Sequence, residues 1–272
     1  MKTLYVSDLD GTLLRSEQKT SDFTNETINR LVKDGMLFSY ATARSYLASA
    51  PVTEGLDVRI PLITYNGVMV VDNADGSLLL EHYLPDEIHD LLDEMIAKNV
   101  YPIVISMMDG RERMTYIPSK SSKETMKFIN SRPGDPRFNP VETVEELHSG
   151  KIFYFMCMDQ EENLLPFYEK YKDTYQCIYQ IDMYHKDPWL DILPKGTSKA
   201  NAIKQVAAYY HCDKIVAFGD GMNDIEMFEL ADEAYAVANA VPELKAIASG
   251  IIGSNDEDSV AKWLKEHYQK EV

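Results

Sequence analysis

Positive charge is in short supply in this chain: 27 lysine and arginine residues face 44 aspartate and glutamate residues, a formal net charge of −17 over 272 residues. That balance argues against nucleic acid or an anionic membrane surface as a partner. Long apolar runs are missing as well. No stretch reaches the length needed to span a bilayer, and Ser7 and Asp8 interrupt the amino terminus before a basic-then-apolar leader could form. Cysteine is scarce: Cys157, Cys177 and Cys212 lie far apart with no CxxC pair, and read as small core or strand residues in a reducing compartment. No internal repeat or low-complexity tract stands out. These absences predict a soluble cytoplasmic protein. What is present, 45% hydrophobic residues, suffices for one large core or two modest ones.

Short apolar runs punctuated by turn residues predict strands at Leu4 to Val6, Met36 to Ala41 and Ile60 to Tyr65, with a helix capped by Ser21 and ending near Gly35. Val68 to Val71 and Leu78 to Leu80 suit a hairpin. Strand–helix alternation with short connections predicts a parallel sheet covered on both faces. The rhythm then changes. Ile88, Leu91, Leu92, Met95 and Ile96 mark an amphipathic helix, and Asp109-Gly110 a hairpin turn between strands. A polar helix near Ser122 to Asn130, a proline-rich loop from Arg132 to Pro140, a strand from Lys151 to Met158 and a helix starting near Pro166 follow. Tyr175 to Tyr184 reads as a strand. From Trp189 the first rhythm resumes, with a strand to Leu193, a helix capped by Thr197, a buried strand from Lys214 to Phe218 and shorter elements to about His267. The pattern divides the chain into a core at 1–83 and 187–272 and a separate α/β module at 84–186, with crossings near Leu84 and Lys186.

Chemistry concentrates at predicted strand ends of the core. Asp8 and Asp10, two residues apart after the first strand, would project together from its carboxyl end, where open α/β sheets bind ligands. Thr42 follows the second strand, Lys199 stands in the first turn of a helix, and Asp220, Asn223 and Asp224 follow the strand ending at Phe218. Four carboxylates in one cleft require a cation among them, and oxygen ligands without nearby Cys or His favour Mg²⁺. A lysine, a hydroxyl and helix-start amides complete a set suited to a phosphoryl group. Taken singly, each residue has a plainer role: Lys199 as a solvated charge, Thr42, Asn223 and Asp224 as helix caps, Asn66 as a turn residue, Asn239 and Asn255 as loop organisers, and His185 as a hinge neighbour.

Taken together, Asp8-Leu9-Asp10-Gly11-Thr12, Thr42, Lys199 and Gly219-Asp220-Gly221-Met222-Asn223-Asp224 resemble, in order, the four motifs of the haloacid-dehalogenase-like phosphatases. Thr64-Tyr65-Asn66-Gly67, Pro194 to Lys199, Ala238 to Pro242 and Ser254 to Asp258 resemble its Cof-type sugar-phosphatase branch. Two departures stand out: Ala43 and Ser259 occupy positions where that branch commonly has glycine. The resemblance implies an α/β fold, a Rossmann-like parallel-sheet core with an inserted α/β cap domain that closes over the cleft and selects the substrate. It also implies a phosphatase acting on small phosphorylated metabolites, sugar phosphates foremost, with neither nucleic acid nor membrane as a partner. Asp8 would be the nucleophile and Asp10 the general acid/base. Mg²⁺ would be held by Asp8, the Asp10 carbonyl and Asp220, with Asp224 behind or within its shell. Leu9, Thr42, Ala43, Lys199 and Asn223 would bind the phosphoryl group, with Arg44 and Asn66 near the substrate. A phosphohexomutase of the same superfamily and a catalytically silent metabolite-binding protein remain as alternatives.

Overall fold

The computed structural model describes residues 2–181 and 187–268. In chain order the first part holds β1 (Thr3–Ser7), α1 (Asp22–Lys33), β2 (Leu37–Tyr40), α2 (Tyr46–Ser49), β3 (Leu62–Thr64), β4 (Met69–Val71) and β5 (Leu78–Glu81). The middle holds α3 (Ile88–Ala97), β6 (Ile103–Met108), β7 (Arg111–Tyr116), α4 (Lys123–Asn130), β8 (Phe138–Pro140), α5 (Val144–Leu147), β9 (Lys151–Met158), α6 (Glu161–Tyr171), β10 (Gln176–Ile181) and β11 (Pro188–Leu193). The last part holds α7 (Lys199–Tyr209), β12 (Lys214–Gly219), α8 (Ile225–Leu230), β13 (Glu233–Ala236), α9 (Pro242–Ile247), β14 (Gly250–Ile251) and α10 (Ser259–His267). Two compact units result, one of Met1–Glu81 with Thr197–Val272, the other of His82–Gly196.

The first unit is built on a parallel sheet in the order β14-β13-β12-β1-β2. Its strands are short and apolar because both faces are covered: Leu4, Val6, Phe38, Val216 and Phe218 are all buried in one core. The register aligns strand ends, with Ser7 opposite Phe218 on one side and Tyr40 on the other. Residues just past β1, β12 and β2 therefore emerge side by side. β3, β4 and β5 form an antiparallel sheet of their own, joined to this edge by a parallel bridge between Ala41 and Ile63. Ser21 caps α1 by accepting from the Thr24 amide, as its sequence predicts. The cap of α7 is Ser198, one residue beyond the predicted Thr197.

The second unit has a sheet in the order β10-β11-β9-β6-β7-β8, antiparallel apart from the β7–β8 pair. α3 and α6 bury Leu91, Leu92, Met95, Leu164 and Phe167 against Phe155, Cys157 and Leu190 in a separate core. The predicted hairpin forms at Asp109 and Gly110, whose positive φ values of 51° and 71° are those of a type I′ turn.

Three expectations for this unit need correction. β11, expected to reopen the core at Trp189, pairs antiparallel with β9 and β10, so the boundary falls at Gly196–Thr197 rather than at 187. The Arg132 to Pro140 segment is not all loop: β8 pairs with β7, and Pro140 is tolerated because the strand lies at an edge. Pro166 lies inside α6 instead of starting it; the helix forgoes one amide donor while Leu164 and Phe167 anchor it in the core. His185 and the Lys186 crossing lie outside the described residues. The cysteines are free, Cys157 buried and the other two half-buried, and among the described residues no helix is long and apolar enough to cross a membrane.

Asp191 stands on the face of β11 opposite its core residues and is almost fully buried. Trp189 Nε1 donates to its Oδ1 at 2.7 Å. Burial pushes its carboxyl up to about 7, against the hydrogen bonds from Trp189 and Tyr154. Between pH 4 and 7 the folded chain therefore holds a proton that the unfolded chain has lost. Stability falls as pH rises through this window, by up to roughly 4 kcal/mol, and levels off above it. Asp191→Asn keeps an acceptor for Trp189 and carries no charge. Urea unfolding should show the variant level with wild type near pH 4 and more stable at pH 8.

Candidate active site

Asp8 directly follows β1 and is 5% exposed. Lys199, at the first position of α7, is also buried; its Nζ donates to Asp8 Oδ1 at 2.5 Å and to Asp224 Oδ1 at 2.7 Å. The other Asp224 oxygen accepts the backbone amides of Asp220 and Gly221, each at 3.0 Å. Asp224 thus fixes both the lysine and the loop that carries Asp220. Thr12 Oγ1 donates to Asp220 Oδ1 at 3.0 Å. Gly11 is required where it stands: a Cβ there would lie 2.4 Å from Asp220 Oδ2.

Asp8, Asp220 and Asp224 each offer an oxygen within 4.8 Å of the others. Burial and then neighbouring carboxylates drive the Asp8 carboxyl well above its usual range, with Lys199 pulling the other way. Burial, then Asp224, pushes Asp220 up to about 7, opposed by the Thr12 hydrogen bond. Burial would lower Lys199, but Asp224 and Asp8 outweigh it and hold the ammonium charged. Fully ionised, three carboxylates against one ammonium would leave two negative charges in excess. An all-oxygen, buried set of that charge could hold a hard divalent cation, whose presence would lower these raised values.

Asp10 does not join this group. The chain turns after Asp8, and the Asp10 carboxylate takes a two-pronged pair from Arg44, Nε to Oδ2 at 2.7 Å and a terminal nitrogen to Oδ1 at 2.6 Å. The expected cluster of four carboxylates is therefore a triad, with Asp10 drawn off to the guanidinium. An extended run would keep i and i+2 together, but the extended backbone ends at Asp8 and a helical turn begins at Leu9, between the two carboxylates, so their side chains part.

Thr42 is buried beyond β2, its hydroxyl accepting from the Arg44 amide at 3.1 Å. Ala43 is exposed on that loop, and Leu9 is in the core, so only the Leu9 backbone can face a ligand. Asn66 is buried; its amide donates to the Thr42 carbonyl at 2.9 Å, and its Oδ1 accepts from Asn223 Nδ2 at 3.2 Å. The loops after β2, β3 and β12 are thereby tied together.

Tyr65, Asn66 and Gly67 have φ values of 51°, 53° and 97°, a run of left-handed residues that is costly for the buried tyrosine. A Cβ on Gly67 would sit 2.2 Å from the Ser198 carbonyl oxygen, next to Lys199. Gly67→Ala should therefore displace the start of α7 and cost about 3 kcal/mol, read as a lowered denaturation midpoint.

Sequence reasoning gave Thr12 no role, although it stands within the Asp8 motif. The loop organisers do appear: Asn239 Nδ2 donates to the Gly11 carbonyl at 2.7 Å, the Asn255 amide to Asn239 Oδ1 at 3.1 Å, and Asn255 Nδ2 to the Leu14 carbonyl at 3.0 Å.

The family model for haloacid dehalogenase-like hydrolase matches residues 5–264. The chain belongs to that family. Among relatives of this hydrolase, 5-amino-6-(5-phospho-D-ribitylamino)uracil phosphatase YitU of Bacillus subtilis is 29% identical over 271 residues, covering 97% of each chain. A second Bacillus subtilis protein of the same description, YwtE, is 27% identical over 278 residues, covering 94% of this chain and 95% of its own. A haloacid dehalogenase-like hydrolase from Bacteroides thetaiotaomicron shares the fold with a TM-score of 0.79 at 22% identity, over 98% of this chain and 100% of its own. The hydrolase is a phosphatase, and its acidic triad is the candidate metal site.

Proposed function

We propose that this phosphatase is Mg²⁺-dependent, hydrolyses small phosphorylated metabolites, sugar and sugar-alcohol phosphates foremost, and works through an aspartyl-phosphate on Asp8. The observation that carries this reading is the buried Asp8 carboxylate at a strand end, paired with Lys199 and facing Asp220 and Asp224. Mg²⁺ held by Asp8, Asp220 and the Asp10 carbonyl would supply charge neutralisation between nucleophile and phosphate. Asp224 serves from behind, since its oxygens are engaged by Lys199 and by two amides.

In the first step an Asp8 oxygen attacks phosphorus, the ester P–O bond breaks, and the departing oxygen takes a proton from Asp10. In the second, Asp10 removes a proton from water as that water attacks phosphorus, releasing inorganic phosphate and restoring the Asp8 carboxylate. At rest the Asp10 carboxylate is engaged by the Arg44 guanidinium. An arriving phosphoryl group competes for the guanidinium and frees Asp10 for its role as acid. Lys199, Thr42, the Ala43 amide and Asn223 stabilise the phosphoryl oxygens as charge builds on them. The family resemblance assigns substrate selection to the inserted unit, and the phosphorylated ribityl chain named for YitU supports a sugar-alcohol phosphate.

The test is release of inorganic phosphate from an aryl phosphate, then from a panel of sugar and sugar-alcohol phosphates. Turnover should require Mg²⁺, fall to background in chelator and return when Mg²⁺ is restored. Equal turnover in chelator would reject the metal requirement. Isomerised hexose phosphate without phosphate release would identify a mutase instead.

A further inference from the structure

A second group of ligand-type side chains lies wholly within His82–Gly196. His89 belongs to the first turn of α3, and His148 directly follows α5. Their Nδ1 atoms are 2.8 Å apart, and the rings stack with centroids at 5.0 Å and an interplanar angle of 29°. Asp93, one turn beyond His89 on the same face of α3, sets its Oδ1 3.2 Å from His148 Nε2. Both imidazoles are half-buried, and Asp93 is exposed.

Two ring nitrogens at that separation cannot both carry a proton in the space between them, so one lone pair must face the other ring. Asp93 decides which. By accepting the Nε2 proton of His148 it leaves the Nδ1 lone pair of that neutral ring directed at His89. A carboxylate behind one imidazole nitrogen, with the other nitrogen presented forward, is how proteins orient a histidine that ligates a metal. If His89 gives up its Nδ1 proton, two lone pairs face each other, since nitrogens 2.8 Å apart between centroids 5.0 Å apart lie on the line joining the rings. Zinc–nitrogen bonds of about 2.0–2.1 Å in tetrahedral geometry place two ligating nitrogens roughly 3.0–3.4 Å apart, so to take the ion the rings must part by a few tenths of an ångström and turn so that both lone pairs aim to one side. Imidazole donors suit zinc and its late first-row neighbours, whereas Mg²⁺ prefers the all-oxygen set around Asp8.

We propose that His89 and His148 form a Zn²⁺ site distinct from the carboxylate triad, with Asp93 orienting His148 and solvent completing the coordination shell. The ion would join α3 to the end of α5, two elements whose buried residues Leu91, Leu92, Met95 and Leu147 share one core. Such a clamp stabilises the folded state in proportion to its occupancy.

The experiment is calorimetric titration of the full chain with Zn²⁺ in excess Mg²⁺, alongside imidazole ¹⁵N resonances. One Zn²⁺ per chain should bind with a Kd at or below about 10 µM. His89→Ala and His148→Ala should each weaken it at least about 100-fold, and Asp93→Asn should weaken it by about 10-fold, the low end for an orienting carboxylate that is itself exposed. Asp220→Asn should leave this site unchanged, and the two shifted ¹⁵N signals should be those of Nδ1. Zinc uptake that survives both histidine substitutions, uptake lost in Asp220→Asn, or no uptake by wild type at about 100 µM would each overturn the proposal.

Discussion

Asp8→Asn should reduce phosphate release by roughly 10⁴-fold or more, because the side chain that attacks phosphorus becomes a poor nucleophile of the same shape. Stability should move the other way. Asp8 is one of three buried carboxylates, and burial already drives it toward its neutral form. A neutral amide relieves that repulsion while Lys199 keeps Asp224 as a partner. In chelator the variant should unfold at or above the wild-type midpoint. Activity lost with stability kept separates a missing nucleophile from a damaged fold. Turnover retained within a factor of about ten would remove Asp8 from the mechanism.

Lys199→Met carries the other large effect, and here activity and stability fall together. The ammonium is buried between Asp8 and Asp224 and is the cation that both of them contact. Removing one partner of a buried ion pair costs about 3–5 kcal/mol, because the charges left behind lose their counter-charge where water does not replace it. Metal-free Lys199→Met should accordingly lose most of its stability, with part of the loss recovered in Mg²⁺ as the cation offsets the same carboxylates. Loss of a donor to the phosphoryl oxygens should lower kcat by about 10²–10³-fold even at saturating Mg²⁺. A surface lysine would show none of this. Unfolding at the wild-type midpoint in chelator would contradict the arrangement around Asp8.

Gly67→Ala and Asp191→Asn probe supports farther from the chemistry. The first perturbs a backbone contact that locates Lys199; the second tests a single buried acid in the other unit. Their effects should add, since they share no partner.

Much of this protein was determined by its sequence alone. Asp8 to Thr12 and Gly219 to Asp224 are contiguous, each directly follows an apolar run, and such runs form strands whose ends share one sheet edge when the connections are short and helical. The chemistry of that edge could therefore be read from residue types and order. Helix caps such as Ser21 and turns such as Asp109-Gly110 were legible for the same reason: a few adjacent residues satisfy their own hydrogen bonds.

Only the tertiary structure decided which groups pair. An apolar run predicts that Trp189 to Leu193 is a strand, but nothing local selects its neighbour, so its membership of the second sheet was open. Asp8 and Asp10 look equivalent in sequence; a turn that begins at Leu9, between them, buries one with Lys199 and leaves the other to Arg44. Thr12 against Asp220, Asn66 against Asn223 and Gly67 against Ser198 join residues more than a hundred positions apart. His89 and His148 meet for the same reason, 59 positions apart across α3 and α5. Sequence carries the propensity of each segment and the chemistry of each side chain, while long-range partners are chosen by packing of the whole core, where no local signal exists.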